Sequence, residues 1–343
     1  MKLEYVVTNN DNGKSVKDIL LSCLHISHRL LITLKRENAI FLNDLPAFVH
    51  QSVSVDDKIR ISFDYEEDNS NIVSKQISLD IVYEDDWLLV VNKCSGIPVH
   101  PSILHYEDSL SSGIKFYFDS IGLKKKIRPV NRIDKDTSGL VVFAKNEYVQ
   151  EALIKQMQAG TFKKEYIAIV EGLFNDNEKI GTINMPIARK EGSIIERCVN
   201  DGGSPSITNY EVIKEKLISL NNNELYPPRR LRFVYALSST KAQKKIYKTA
   251  GATLQNCIKE KKNNKMKISV VKCKLETGRT HQIRVHMAHI GHPLLGDDLY
   301  GGNTNLITRQ ALHSYRISFI HPISKQNVVF EATIPKDLAG LIN

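Results

Sequence analysis

The spacing of apolar positions divides the chain into a short helix-bearing stretch and a longer strand-rich remainder. Ser15-x-x-Asp18 is a capping box, and Val16, Ile19, Leu20 and Cys23/Leu24 after it follow the spacing of one helical face. A second helix is predicted from Ser27 to Glu37, with Leu30, Leu31 and Leu34 turned inward. Strand-like runs follow at Ala39-Ile40-Phe41-Leu42 and Ile59-Arg60-Ile61-Ser62-Phe63, so residues 1–65 read as a small α+β module. The polar run Glu66-Glu67-Asp68-Asn69-Ser70-Asn71 marks a boundary, and residues 66–76 are taken as a linker. From residue 77 the period shortens to two. Ile77 to Tyr83 alternates, Trp87 to Val91 is a buried-strand run, and Pro129-Val130 and Leu140 to Ala144 add strands. Glu147 to Met157 is helical in pattern, closed by Gly160. Residues 77–343 therefore predict an α+β domain, a large mixed sheet with flanking helices. Within it residues 221–265 lack this regularity, contain Pro227-Pro228 and Asn263-Asn264, and read as an insertion.

At 343 residues the chain exceeds a usual single core, which agrees with this division. With 42% apolar and 25% charged residues it has the composition of a soluble globular protein, and no apolar run is long enough to span a membrane. Glu4 interrupts the place where a signal peptide's apolar stretch would begin. Five scattered cysteines without a C-x-x-C pair predict reduced thiols and a cytoplasmic protein rather than a disulfide framework or zinc site. Charge changes the picture more. Lys and Arg exceed Asp and Glu by 47 to 38, and 11 basic residues against two acids fall between Asn221 and Lys265. The whole excess of +9 therefore sits in the insertion, which predicts a polyanionic partner for that segment. Lys241, Lys244, Lys245 and Lys248 recur there at the spacing of one helical face and are candidate RNA contacts, the alternative being a solvated Lys-rich loop.

Two stretches carry candidate chemistry. In Asn131-Arg132-Ile133-Asp134-Lys135-Asp136-Thr137-Ser138-Gly139-Leu140 an acid opens a hydrophobic strand and would face a cleft, although an ordinary Asx-type turn has the same composition. Asp134 and Asp136 do not make a persuasive pair for a hydrolytic glycosidase, which needs carboxylates on both sides of a sugar bond. The second stretch runs from Leu275 to Pro293. Ile283, Met287 and Ile290 predict a helix from Thr280 to Ile290 that places Arg284 in its first turn. His281, His286, His289 and His292 invite a metal, but their spacing and the absence of a cysteine favour structural histidines.

The first stretch resembles the His-Arg-Leu-Asp signature of the RluA-type RNA pseudouridine synthases. Tyr83 to Pro101, Lys164 to Gly172, Thr277 to Arg284, Gly296-Asp297-Asp298-Leu299-Tyr300-Gly301, Ala311-Leu312-His313 and Phe319 to Pro322 resemble further motifs of that family in the same order. The resemblance implies a mainly antiparallel sheet and isomerisation of uridine to pseudouridine in structured RNA, needing no cofactor or metal. It places the catalytic aspartate at Asp134 and its arginine partner at Arg284. Tyr166 falls on the tyrosine stacked against the base, and Arg132 on the arginine filling the space of the flipped nucleotide. A guanidinium favours the ionised carboxylate that an attacking group must be, and a phenol offers a stacking face. Residues 1–65 resemble the small RNA-binding fold named after ribosomal protein S-four, with Arg29, Lys35 and Arg36 near phosphates. That module favours ribosomal RNA over transfer RNA as the partner of a chain expected to be monomeric. A chain starting near Asn71 is expected to fold and to modify RNA slowly. Asn131 in place of histidine, Cys94 in place of proline and Ser204-Pro205-Ser206 in place of Lys-x-Ala depart from the family pattern. A catalytically inactive RNA-binding or ribosome-assembly factor on the same scaffold is the alternative, but such a chain has no chemical reason to keep Asp134, Tyr166 and Arg284 together.

Overall fold

Two sheets carry the fold in the computed structural model, which describes residues 1–103, 105–219 and 265–343. Lys241, Lys244, Lys245 and Lys248 lie outside the described residues. The first sheet belongs to the N-terminal module. It comprises β1 (Lys2–Val6), β2 (Ile40–Leu42), β3 (Leu45–Pro46) and β4 (Lys58–Ser62) in the order β1-β4-β2-β3. Helix α1 (Val16–Asp18) continues into a wider turn at Ile19–Cys23, and α2 spans His28–Arg36. The capping box forms: Asp18 N–H donates to Ser15 Oγ at 3.2 Å, and Ser15 N–H donates back to Asp18 Oδ2 at 3.1 Å.

The second sheet, formed by ten strands among the described residues, supports the site. Its N-terminal half holds β5 (Ile81–Glu84), β6 (Leu88–Lys93), β7 (Arg128–Pro129), β8 (Ser138–Ala144) and β9 (Lys163–Glu171). β10 (Ile180–Asn184) follows, then a separate ribbon of β11 (Ile187–Arg189) and β12 (Arg197–Val199). The sheet is completed by β13 (Ile207–Ser219), β14 (Lys265–Leu275), β15 (Leu312–Ile320) and β16 (Asn327–Glu331). The order is β10-β13-β14-β9-β15-β8-β6-β5, with β16 on β15 and β7 on β8. Every pairing in it is antiparallel except β15 with β8, so the sheet is mixed and mainly antiparallel as expected. Helices α3 (Leu110–Ser120), α4 (Glu147–Gln158), α5 (Gln282–His289) and α6 (Lys336–Ile342) flank it.

Alternation along the central strands explains why the sheet needs cover on both faces. Leu88, Val90, Leu140 and Val142 enter one core, while Leu89, Val91, Val141 and Phe143 enter the other. The second core underlies the functional cavity. The first is shared with the N-terminal module: Leu20, Leu30, Leu34, Ile59, Ile61 and Phe63 join it from the module's side. Phe63 packs edge-on to Trp87 at 5.9 Å and beside Tyr148 at 6.1 Å, and Ser27 Oγ donates to Glu151 Oε1 at 2.7 Å. Removing residues 1–65 would therefore uncover one face of the ten-stranded sheet, which the sequence pattern did not indicate.

Two predicted elements are shorter than their periodicity. The strand expected at Ile77 begins at Ile81, because Ile77 and Leu79 leave the sheet to pack on Gly113 of α3. The helix expected from Thr280 begins at Gln282, because His281 takes a left-handed conformation with φ 58°.

Phe63→Ala is expected to lower the unfolding free energy of the whole chain by about 3–5 kcal/mol. Urea unfolding followed at Trp87 checks this, and a chain that loses the module signal while the Trp87 transition stays in place would contradict the shared core.

Candidate active site

Asp134 lies in the loop between β7 and β8, and that loop is held from three sides. Beneath it, the buried ammonium of Lys93 donates to the carbonyls of Cys94 and Ile97, both at 2.8 Å, and of Lys135 at 2.9 Å. Burial pushes Lys93 down to about 8, while three carbonyls match the three N–H groups of an ammonium. Asn131 does with one amide what the loop requires: Nδ2 donates to Leu140 O at 3.1 Å, and Oδ1 accepts from Val142 N–H at 2.8 Å. From the far side, Arg309 NH1 donates to Asp136 O at 3.2 Å while its other nitrogens grip Asp337 of α6. Gly139 lets β8 start there. It has φ 112°, and a Cβ on it would lie 2.2 Å from Ser314 O of β15.

Arg284 projects from the first turn of α5 and is 7% exposed. It meets Asp297 with two bonds, Nε to Oδ2 at 2.7 Å and NH2 to Oδ1 at 2.8 Å, and reaches Asp134 Oδ2 with NH1 at 3.2 Å. Burial disfavours the guanidinium cation, but hydrogen bonds and charge from Asp297, with Asp134 behind, outweigh it and raise its pKa. Asp134 Oδ1 has no partner among the described residues, and the carboxylate is a quarter exposed to the cavity (26%).

His281 supplies a second group facing Asp134. Its Nδ1 lies 2.8 Å from Tyr300 Oη, which accepts the Arg197 N–H at 3.0 Å. The other ring nitrogen, Nε2, lies 3.8 Å from Asp134 Oδ2. Burial lowers the His281 pKa against the pull of Asp134, so the ring is neutral at neutral pH.

These groups open onto a cavity of about 470 Å³ lined by Asp134, Arg132, Tyr166, Lys164, His281 and Arg284, with apolar walls from Ile133, Ile283 and Leu312. Tyr166 is 5% exposed on β9, and burial pushes its phenol well above the usual tyrosine range, so it enters the site as a neutral donor. Arg132 is exposed at the rim without a partner among the described residues.

The structure thus brings Asp134, Arg132, Tyr166 and Arg284 together, whereas Arg29, Lys35 and Arg36 stand exposed on α2 and do not line the cavity. Sequence reasoning gave no role to Asp297, His281, Tyr300 or Lys164. Asp297 and Tyr300 sat inside a quoted motif, but which of two adjacent aspartates turns inward depends on a turn. Two of the four clustered histidines are structural: His286 bonds Thr208 Oγ1 at 2.9 Å and Met185 O at 3.0 Å, and His292 bonds Glu171 O at 2.8 Å. Among the described residues no group of three His, Cys, Asp or Glu side chains could hold a metal.

The sequence profile of the family described as "RNA pseudouridylate synthase" matches residues 87–289. The chain is 31% identical to "Uncharacterized RNA pseudouridine synthase YhcT" of Bacillus subtilis over 99% of its own length and 96% of that protein. It is 33% identical to "Ribosomal large subunit pseudouridine synthase D" of Neisseria meningitidis, covering 92% of this chain and 74% of that one. Among solved structures, "Human RNA Pseudouridylate Synthase Domain Containing 1" shares the fold with a TM-score of 0.52 and 21% identity, over 75% of this chain and 84% of that chain.

Arg284→Met is expected to destabilise the chain by about 3–5 kcal/mol, because it strands the fully buried Asp297 carboxylate as well as releasing Asp134. Asp134→Asn should cost about 1 kcal/mol or less, since Arg284 keeps both bonds to Asp297. Parallel urea titrations compare the two, and equal losses would mean that Asp297 is not the main anchor.

Proposed function

The chain belongs to the RNA pseudouridine synthase family, enzymes that isomerise uridine in RNA, and from that premise we propose that Asp134 Oδ1 begins the reaction at C1′ of a flipped uridine. The observation that carries this assignment is the division of labour on one carboxylate. Oδ2 is engaged by Arg284 and faced by His281, while Oδ1 is left unbonded beside the cavity. Attack at C1′ breaks the N1–C1′ bond, and its electron pair leaves with the uracil. The base turns, C5 displaces the carboxylate from C1′, the C5 proton departs and N1 takes up a proton. Atoms and charge balance with Asp134 regenerated. A neutral Tyr166 beneath the base supports it during the turn and keeps a hydroxyl in reach of the moving proton, and Arg132 at the rim fits the gap left in the RNA stack.

The relatives named for the large ribosomal subunit support large-subunit ribosomal RNA as the substrate, with transfer RNA the second choice. Residues 1–65 are read as the S-four-like RNA-binding module, in which Arg29 and Lys35 are exposed and, among the described residues, Arg36 pairs only with Glu37. Exposed cations of this kind position RNA through phosphates without reading sequence. The chain acts as a cytoplasmic monomer in this reading. No helix among the described residues is long and apolar enough to cross a membrane.

Asp134→Asn is expected to reduce single-turnover tritium release from RNA carrying [5-³H]uridine to background while RNA affinity stays within about twofold, because affinity rests on phosphate contacts. Activity within tenfold of the parent would remove Asp134 from this role and leave an RNA-binding factor. His281→Asn, whose side chain tolerates the left-handed backbone, should slow the same step by less than about tenfold, because at 3.8 Å the ring lies beyond hydrogen-bond range of Asp134 Oδ2 and Arg284 keeps its bond to that oxygen. A loss of about a hundredfold or more would show that His281, and not Arg284 alone, holds Oδ2.

A further inference from the structure

Lys164 stands on β9 two residues before Tyr166, so strand alternation turns both side chains to one face, and both line the catalytic cavity. A Cβ placed on Gly278 across the cavity would lie 3.0 Å from Lys164 Nζ, which puts the ammonium beside the turn that precedes α5. The side chain is half-buried, and the ammonium has no hydrogen bond or ion pair to any described residue. Glu165, the adjacent acid on the strand, faces the other way, 3.9 Å from Lys274 and 3.8 Å from Arg316. Burial alone pushes the Lys164 pKa down, with no neighbouring charge to hold it up. An ammonium on a cavity wall with no acceptor from the protein is free to take one from an anion that enters the cavity.

The charge around it identifies that visitor. The cavity's lining presents Arg132, Lys164, Arg279 and Arg284 against the single carboxylate of Asp134. Arg284 is already neutralised by Asp297, whereas the Arg279 guanidinium donates, among the described residues, only to the carbonyl of Pro205 at 3.2 Å. Cations remain in excess in a place where a uracil ring brings no charge. The missing negative charge must be carried by the part of the substrate that follows the base inward.

We propose that Lys164 is a phosphate-binding residue of this cavity, its ammonium taking a non-bridging oxygen of a phosphodiester that flanks the target uridine. This rests on the functional reading above and gives the site a preference for uridine within a polynucleotide over the free nucleoside. A lysine suits the task because its compact charge on a flexible stem can follow a phosphate as the nucleotide swings in.

The test uses the full chain and a short RNA that the parent protein modifies, with equilibrium binding measured against salt. Lys164→Met should weaken binding by about tenfold and flatten the slope of log K on log salt by about 0.7, while Lys164→Arg restores the slope. A methylphosphonate at one of the two flanking phosphates should weaken the parent and leave Lys164→Met unaffected. An unchanged salt slope, or a methylphosphonate penalty equal in both proteins at both positions, would overturn the assignment. Binding is read without turnover, so a Lys164 effect in a chain that releases no tritium would count against the reaction proposed for Asp134 and not against the phosphate contact.

Discussion

One guanidinium divided between two carboxylates sets the terms for everything else in the site. Arg284 gives two bonds to buried Asp297 and one to Asp134, so the same cation is anchored by one acid and used by the other. The anchor fixes the direction of the guanidinium plane, and that direction decides which Asp134 oxygen is occupied. A bidentate pair of this kind holds geometry more firmly than a lysine could. The two bonds also satisfy a carboxylate that would otherwise be intolerable in the interior. Without Asp297, Arg284 would swing to whichever acid was nearer and Asp134 would lose its free oxygen.

The remaining framework exists to hold the other end of that pair still. The Asp134 loop is tied by main-chain atoms, to Lys93 below, Asn131 behind and Arg309 beyond. Main-chain acceptors leave the loop's side chains free for substrate. Gly139 adds a constraint of shape, since β8 and β15 meet in the sheet's one parallel pairing with no room for a side chain at that residue. The catalytic loop is in this sense part of the sheet, and rigid elements position reacting groups better than mobile ones.

What could be read from the residues alone follows from how local each feature is. The continuous apolar runs located β6 and β8, the alternation from Ile77 located β5 apart from its start, and the capping box and the leucines of α2 located the module's helices, because these depend on near neighbours. Asp134, Tyr166 and Arg284 were legible through ordered motifs, and they do meet in one cavity. His281 was grouped with three other histidines because its left-handed backbone cannot be seen in a helical period. Lys164 was quoted in a strand and given no part, since its isolation depends on Glu165 turning away and on Gly278 lying opposite. The shared core was missed for the same reason: Phe63 looked like the end of a module strand until Trp87 and Tyr148 were seen against it.

That shared core has a thermodynamic consequence. Because the module's apolar face and the back of the large sheet form one cluster, the two parts are expected to fold as a single cooperative unit. Any ligand that binds only the folded module then shifts the equilibrium of the whole chain, by an amount set by its concentration relative to its dissociation constant. RNA held at α2 would protect the strands that carry Tyr166 and the Asp134 loop from opening, at a distance and with no contact to either. The chain would be most resistant to heat and proteolysis when its substrate is abundant, and would turn over fastest when it is scarce.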